Sequence, residues 1–207
     1  MSHPEVRLRQ LQPTDVDAVH SWACLSEVCR YQAWGPNSLT ETRAFVTEAV
    51  AAWHEQPQTR FTYAALHDDD VVGMGELRIR SLQHAQGEIQ YLTHPSLWGR
   101  GLGTAIGRQL LHIGFHELRM HRIYATCDPR NAASAAILRK LGMTHEGHLR
   151  HTAKLRDGWR DSALFSILDS EWTDGHDRRP TPSKISASGG ALRLRDDDRA
   201  GRRTVSG

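Results

Sequence analysis

The sequence predicts one mixed α/β domain built around a central sheet over residues 1–173, followed by a tail from 174 to 207. Three observations carry this. Segments with strand-like alternation recur between segments with helical apolar spacing. Of the 207 residues 39% are hydrophobic and 24% charged, the balance of an ordinary globular chain. Beyond Asp174 apolar residues thin out, and Pro180, Pro182, Ser183, Ser186, Ser188, Gly189 and Gly190 break any pattern, so the tail is expected to be disordered and flexible. A chain of this length encloses a core without disulfide or metal staples.

The elements follow in order. Val6–Leu11 sets Val6 and Leu8 against Arg7 and Arg9, a strand. Pro13-Thr14-Asp15 opens a helix to about Cys24, because proline is tolerated in a first helical turn. Ser38 with Glu41 three residues on makes a capping box for a helix from Leu39 to about His54. Arg60–His67 and Val71–Leu82 read as strands joined by Asp68-Asp69-Asp70, and Gly87–Thr93 as another, stopped by Pro95. Gly101–Leu118 is a long helix with Ile106, Leu110, Leu111, Ile113, Phe115 and Leu118 on its apolar side. Arg122–Cys127 is a strand and Asn131–Leu141 a helix. Thr144–Leu149 and Ser162–Leu168 are the last strands, with a turn near Asp157-Gly158.

Charge excludes some classes of function. The formal net charge is +2, but eight basic residues against five acidic ones lie from Asp174 onward, leaving 18 basic and 19 acidic side chains in residues 1–173. The excess belongs to the tail, so nucleic acid is not an expected partner except weakly through that tail. No apolar run reaches the roughly 20 residues that span a bilayer, and MSHPEVRLRQ has no secretory apolar stretch. Three cysteines, Cys24, Cys29 and Cys127, cannot all pair, which points to a reducing, cytoplasmic setting. A monomer or homodimer is expected.

The most informative segment is a strand, then Trp98-Gly99-Arg100-Gly101-Leu102-Gly103-Thr104, then the long helix. Glycines let successive backbone N–H groups converge, and a helix N-terminus adds the positive end of its dipole, so a phosphate is the natural occupant. The dinucleotide fingerprint fails on spacing, and the Walker pattern fails for want of Gly-Lys-Ser/Thr. The loop is instead similar to motif A of the GNAT acetyltransferase superfamily, Gln/Arg-x-x-Gly-x-Gly/Ala, with Trp98 at the first position. The resemblance runs from Gly87 to Trp172 and is to the RimJ/RimL-like branch. It is carried by Glu88-Ile89-Gln90-Tyr91-Leu92, Asn131-Ala132-Ala133-Ser134, Lys140-Leu141-Gly142-Met143, Glu146-Gly147, Asp157-Gly158, Asp161 and Glu171-Trp172.

That resemblance implies a GNAT-like single domain with a splayed strand pair in a mixed sheet, flanking helices, and acetyl-CoA as cosubstrate. It implies that a primary amine attacks the thioester directly, the protein mostly positioning two substrates. The acyl donor's arm is expected beside Tyr91, Leu92 and Thr93, where backbone N–H polarises the thioester carbonyl. Gly99, Arg100, Gly101, Leu102, Gly103 and Thr104 are expected to hold the diphosphate, and Asn131 to contact the cofactor. Ser134 is the expected acid for the departing thiolate, sharing a helical face with Ile137, Leu138 and Leu141. Glu88 is the expected base, relaying the proton through water, with Glu76 as its substitute; the family's glutamate lies one residue off, which on a strand reverses the face unless a bulge restores it, and a plain solvated strand carboxylate is the alternative.

Other readings of the same residues stay open. Asn131 also suits a plain helix cap, and Ser134 a bond to the helix-start backbone. Cys127 is read as a small buried residue, not a nucleophile, because no histidine at informative spacing would make its thiolate. His112 and His116 are four apart on a helix, but His116-Glu117 with His121 misses H-E-x-x-H by one residue, and His145, His148 and His151 alternate faces of a strand. No metal is expected. The resemblance leaves the acceptor among a ribosomal-protein N-terminal α-amine, another peptide, a polyamine, an amino acid or an antibiotic amine, with the protein N-terminal amine preferred. Trp22, Tyr31 and Trp34 either line its pocket or pack in the core.

Overall fold

Seven strands form one sheet in the order β1-β2-β3-β4-β5-β7-β6 in the computed structural model, which describes residues 4–155 and 157–173. The chain runs β1 (Arg7–Gln10), α1 (Val16–Ala23), α2 (Ser26–Cys29), α3 (Leu39–Ala51), β2 (Arg60–His67), β3 (Asp70–Ser81), β4 (Gln86–Thr93), α4 (Leu102–His112), β5 (Arg122–Cys127), α5 (Ala132–Lys140), β6 (Thr144–Leu155) and β7 (Gly158–Leu168). The tail expected from residue 174 lies outside the described residues.

Local chemistry accounts for most boundaries. Pro13–Asp15 forms a single 3₁₀ turn before α1, and Asp15 is held by Arg9 through two bonds of 2.7 Å. The capping box of α3 is present: Ser38 Oγ accepts from the Glu41 N–H, and the Glu41 carboxylate accepts from the Ser38 N–H at 2.7 Å. The long helix after the glycine loop is regular to His112 and then widens into a π turn over Ile113–Glu117. The last two strands are longer than expected and form a continuous hairpin turning at Gly158, with a register shift between Leu149 and Ala153.

Alternation along the strands divides the core into two layers, one per face of the sheet. Phe61, Tyr63 and Ala65 of β2 pack with Leu77, Ile89, Ile123 and the helices α4 and α5, through Leu102, Ile106, Leu110 and Leu138. Their sequence neighbours Ala64 and Leu66 face the other way, onto Val19, Trp22, Val46 and Ala49 of α1 and α3. Close backbone approach tightens the first layer. A Cβ on Gly107 would stand 2.5 Å from Leu141 Cδ1, and one on Gly114 2.3 Å from Ile123 Cδ1. Among the described residues no helix is long and apolar enough to cross a membrane.

Candidate active site

The sheet opens in its middle. β4 and β5 run parallel and pair at only three positions, Gln86 with Arg122, Gly87 with Ile123 and Glu88 with Tyr124. Beyond that step β4 continues through Thr93 and β5 through Cys127 with no ladder between them, while β3 stays paired to β4 as far as Thr93. Backbone groups on the two inner edges are therefore available to an extended ligand. The splayed pair implied by the sequence resemblance is present.

A cavity of about 570 Å³ passes through this opening. From the α1–α3 face it is lined by Trp22, Tyr31, Trp34 and Phe45, from the strand edges by Gln90, Tyr91, Leu92 and Cys127, and from the α5 face by Asn131, Ser134 and Leu138. Trp22 is both core and wall: it is 1% exposed, and its buried indole N–H has no acceptor among the described residues.

Where β4 meets α5 the polar groups converge. The Tyr91 hydroxyl lies 3.4 Å from Ser134 Oγ and 3.4 Å from the Ser134 carbonyl oxygen. Burial pushes the Tyr91 phenol up, against the opposing effect of Ser134. Burial likewise pushes up the Cys127 thiol, beside which Ser134 also stands; a thiol held protonated is a poor nucleophile. Asn131 Oδ1 accepts the Ser134 N–H at 3.0 Å, so Asn131 caps α5 while lining the cavity. Sequence reasoning selected Ser134 as the acid and Tyr91 as a flank of the acyl donor's arm; the Tyr91 hydroxyl beside the Ser134 hydroxyl is a tertiary fact.

The α1–α3 face carries charge. Glu76, 5% exposed, has both oxygens occupied: Oε1 accepts from Arg78, and Oε2 from Arg60 at 3.0 Å and Thr62 at 2.8 Å. Burial raises its pKa, but the bond from Arg78, the charges of Arg60 and Arg78, and Thr62 outweigh that and hold the carboxyl below its ordinary range. Asp128 is treated the same way: burial raises its pKa, and Arg130 more than reverses the effect through side-chain and backbone bonds. Both line the cavity, and both oxygens of each accept from neighbouring groups.

Glu88, the expected base, stands beside the cavity and not in its wall. It shares the sheet face of Arg78, its partner across the ladder, yet it stands at the last paired step before the opening and is not a cavity wall. Arg80 holds its Oε2 with two bonds, at 2.8 and 2.5 Å. Thr93 also stands outside the lining.

The glycine loop meets the first turn of α4 at the end of this strand. Gly99 and Gly101 have positive φ, +78° and +83°, which a residue with a Cβ resists. Among the described residues no side chain caps α4, and a Cβ on Gly99 would have nothing within 4 Å. Leu102 and Thr104 have buried side chains, and with Gly103 they make up the first turn of α4, whose N–H groups have no partner within the helix. Gly103 is needed for packing: a Cβ there would stand 3.0 Å from Ile137 Cδ1 and 3.8 Å from the Tyr91 ring. At Gly101 a Cβ would stand 3.4 Å from Pro4 Cδ, so the turn is open at Gly99 and bordered by Pro4 at Gly101; an uncapped N-terminus behind such a turn suits a diphosphate. Histidine and cysteine spacing builds no group of three or more metal-ligating side chains among the described residues.

The model of the acetyltransferase (GNAT) domain matches residues 5–144. The chain belongs to the GNAT acetyltransferase family. Members take their acetyl group from acetyl-CoA. The "Uncharacterized N-acetyltransferase YnaD" of Bacillus subtilis is 27% identical over 165 residues, 80% of this chain and 94% of that protein. Spermidine N(1)-acetyltransferase of Escherichia coli is 27% identical over 172 residues, 83% of this chain and 90% of that one. Among solved structures, Mycobacterium smegmatis RimJ in complex with CoA-disulfide superposes with a TM-score of 0.73, covering 81% of this chain and 84% of that one; at 22% identity it speaks for the fold. This acetyltransferase thus has the mixed sheet with flanking helices and the opened strand pair that its sequence implied.

Proposed function

We propose that this acetyltransferase moves an acetyl group from acetyl-CoA to a primary amine bound in the cavity, by direct attack of the amine on the thioester. The cavity at the β4–β5 opening carries the reading: it is lined by residues from both faces of the sheet and from the two strand edges, so two ligands can meet there. The amides of Leu102, Gly103 and Thr104, freed by Gly99 and Gly101 and accompanied by Arg100, would hold the diphosphate. Tyr91, Leu92 and Thr93 would flank the arm, and Asn131 the cofactor where it passes α5.

Acetyl-CoA supplies the activated acyl carbon. The amine nitrogen bonds to that carbon, the carbon–sulfur bond breaks, and Ser134, with the Tyr91 hydroxyl beside it, returns a proton to the departing sulfur. Glu76 is occupied by arginines and Glu88 stands outside the cavity, so the amine's proton passes to water and not directly to a carboxylate. The buried, protonated Cys127 forms no acyl-enzyme.

For the acceptor we propose a protein N-terminal α-amine, in a cytoplasmic setting. A small-molecule amine is the second reading, favoured by the likeness to spermidine N(1)-acetyltransferase. Thiol release from acetyl-CoA with a panel of peptide, amino-acid and polyamine acceptors tests this. Turnover on at least one amine is expected. CoA binding with no turnover on any amine would leave a non-catalytic binding module.

A further inference from the structure

We propose that the acceptor amine carries a carboxylate, and that Arg160 binds it. The inference rests on the acyl-transfer reading above and specifies the chemistry of its second substrate.

The cavity wall has surplus hydrogen-bond donors. Of the buried side-chain polar atoms that lack a partner among the described residues, Trp22 Nε1 and Arg160 Nε both belong to cavity-lining side chains, and both are donors. The acidic groups of the lining absorb none of this surplus. Glu76 is taken by Arg60, Arg78 and Thr62, Glu48 by Arg60 at 2.7 Å, and Asp128 by Arg130 at 2.7 Å.

Arg160 is the exceptional charge. Its guanidinium is fixed by neutral oxygens, donating from Nη1 to the Tyr31 carbonyl at 2.8 Å and from Nη2 to Ser162 Oγ at 3.3 Å. Among the described residues it forms no ion pair, whereas Arg60 and Arg78 each hold a carboxylate. Its positive charge is nonetheless felt at Cys127 and Asp128, on the strand edge beside Ser134. A guanidinium offers five N–H donors, so most of this one's capacity is unused. A half-buried cation with no carboxylate bonded to it, only the nearby charge of Asp128, has room for one, and a planar carboxylate matches its edge.

The acyl donor is not the source of that anion. Its diphosphate would sit at the first turn of α4, which contributes no residue to the cavity, its 3′-phosphate lies on the nucleotide side of that diphosphate, away from the thioester, and its arm is neutral. The anion therefore arrives with the amine. An amino acid or an acidic peptide N-terminus has this chemistry; a polyamine, cationic throughout, would instead place charge against Arg160.

The test is thiol release by the full-length protein with matched acceptors. The pairs are free α-amino acids against their α-amides, and tetrapeptides with Glu against Gln at the second position, with spermidine as the carboxylate-free amine. At least one carboxylate acceptor is expected to exceed its amide by about 10- to 100-fold in kcat/KM, the range of a charged hydrogen bond. The first pair reports a free α-carboxylate and the second a side-chain carboxylate. Arg160→Gln should erase that ratio and leave the KM for acetyl-CoA unchanged, and Arg160→Lys should restore part of it. As a check needing no variant, an N-acetylated carboxylate product should inhibit the wild-type enzyme at least tenfold better than its amide. Equal rates on carboxylate and amide partners, or spermidine as the best acceptor, would overturn the proposal while leaving the acetyltransferase reading intact. No turnover on any amine would overturn both.

Discussion

Replacing Glu76 by glutamine should destabilise the protein in a pH-dependent way. The carboxylate is buried on the cavity face and receives bonds from Arg78, Arg60 and Thr62. A glutamine keeps one acceptor oxygen and turns an NH₂ group toward the remaining donors, so at least one guanidinium loses its counter-ion. Breaking a buried pair of this kind costs about 3 kcal/mol, somewhat reduced where Arg60 keeps Glu48 at 2.7 Å. For a domain of this size that is a fall of about 6–12 °C in Tm.

The pH dependence follows from the lowered carboxyl of Glu76. A group held below its unfolded value contributes stability that is complete above about pH 4.3 and is lost as pH falls through the lower folded value. Urea unfolding of wild type and Glu76→Gln should therefore differ by about 3 kcal/mol at pH 7, with the gap closing on acidification. Glu48→Gln, at a side chain 76% exposed, should cost about 1 kcal/mol or less. Equal stability of the Glu76 variant and wild type at pH 7, or a gap that persists unchanged into acid, would refute the reasoning.

Other expectations follow from the same geometry. Ser134→Ala should lower kcat about 100-fold with little change in acetyl-CoA KM, read by steady-state kinetics; a kcat within a factor of two would remove it as the acid. Glu88→Gln should keep kcat within about threefold and leave the pH–rate profile unshifted, since direct general base work would cost about 100-fold or more. Cys127→Ala should sustain turnover, and intact-protein mass spectrometry of the wild type should show no acetylated enzyme; either a dead variant or a trapped acetyl group would restore the acyl-enzyme route. Gly101→Ala, at φ +83°, should strain the turn by about 1–2 kcal/mol and raise the KM for acetyl-CoA more than it lowers kcat.

Signals that are local in sequence were legible. The Ser38–Glu41 capping box, the alternation of β2 and the glycines ahead of α4 each act within a few residues, and each is found where the sequence placed it. The short helix α2 was missed because Ser26–Cys29 is a single turn with no period to read. The β6–β7 hairpin was shortened because β6 is an exposed edge strand with little apolar alternation. In the site, Ser134 and Tyr91 were legible as residues, but their hydroxyls meet only once β4 and α5 pack. For Glu88, nothing in the strand pattern says where the ladder ends or that Arg80 would bond the carboxylate. Arg160 carries no sequence signal at all: its isolation depends on Asp128 being taken by Arg130.

The most direct test of the central claim is a crystal structure of the protein grown with CoA. The account predicts the pantetheine arm lying between Tyr91–Thr93 and Ala125–Cys127, its sulfur near Ser134, and the diphosphate on the amides of Leu102, Gly103 and Thr104. A β4–β5 ladder that pairs through to Cys127, or CoA bound with its thiol end outside the cavity, would contradict it.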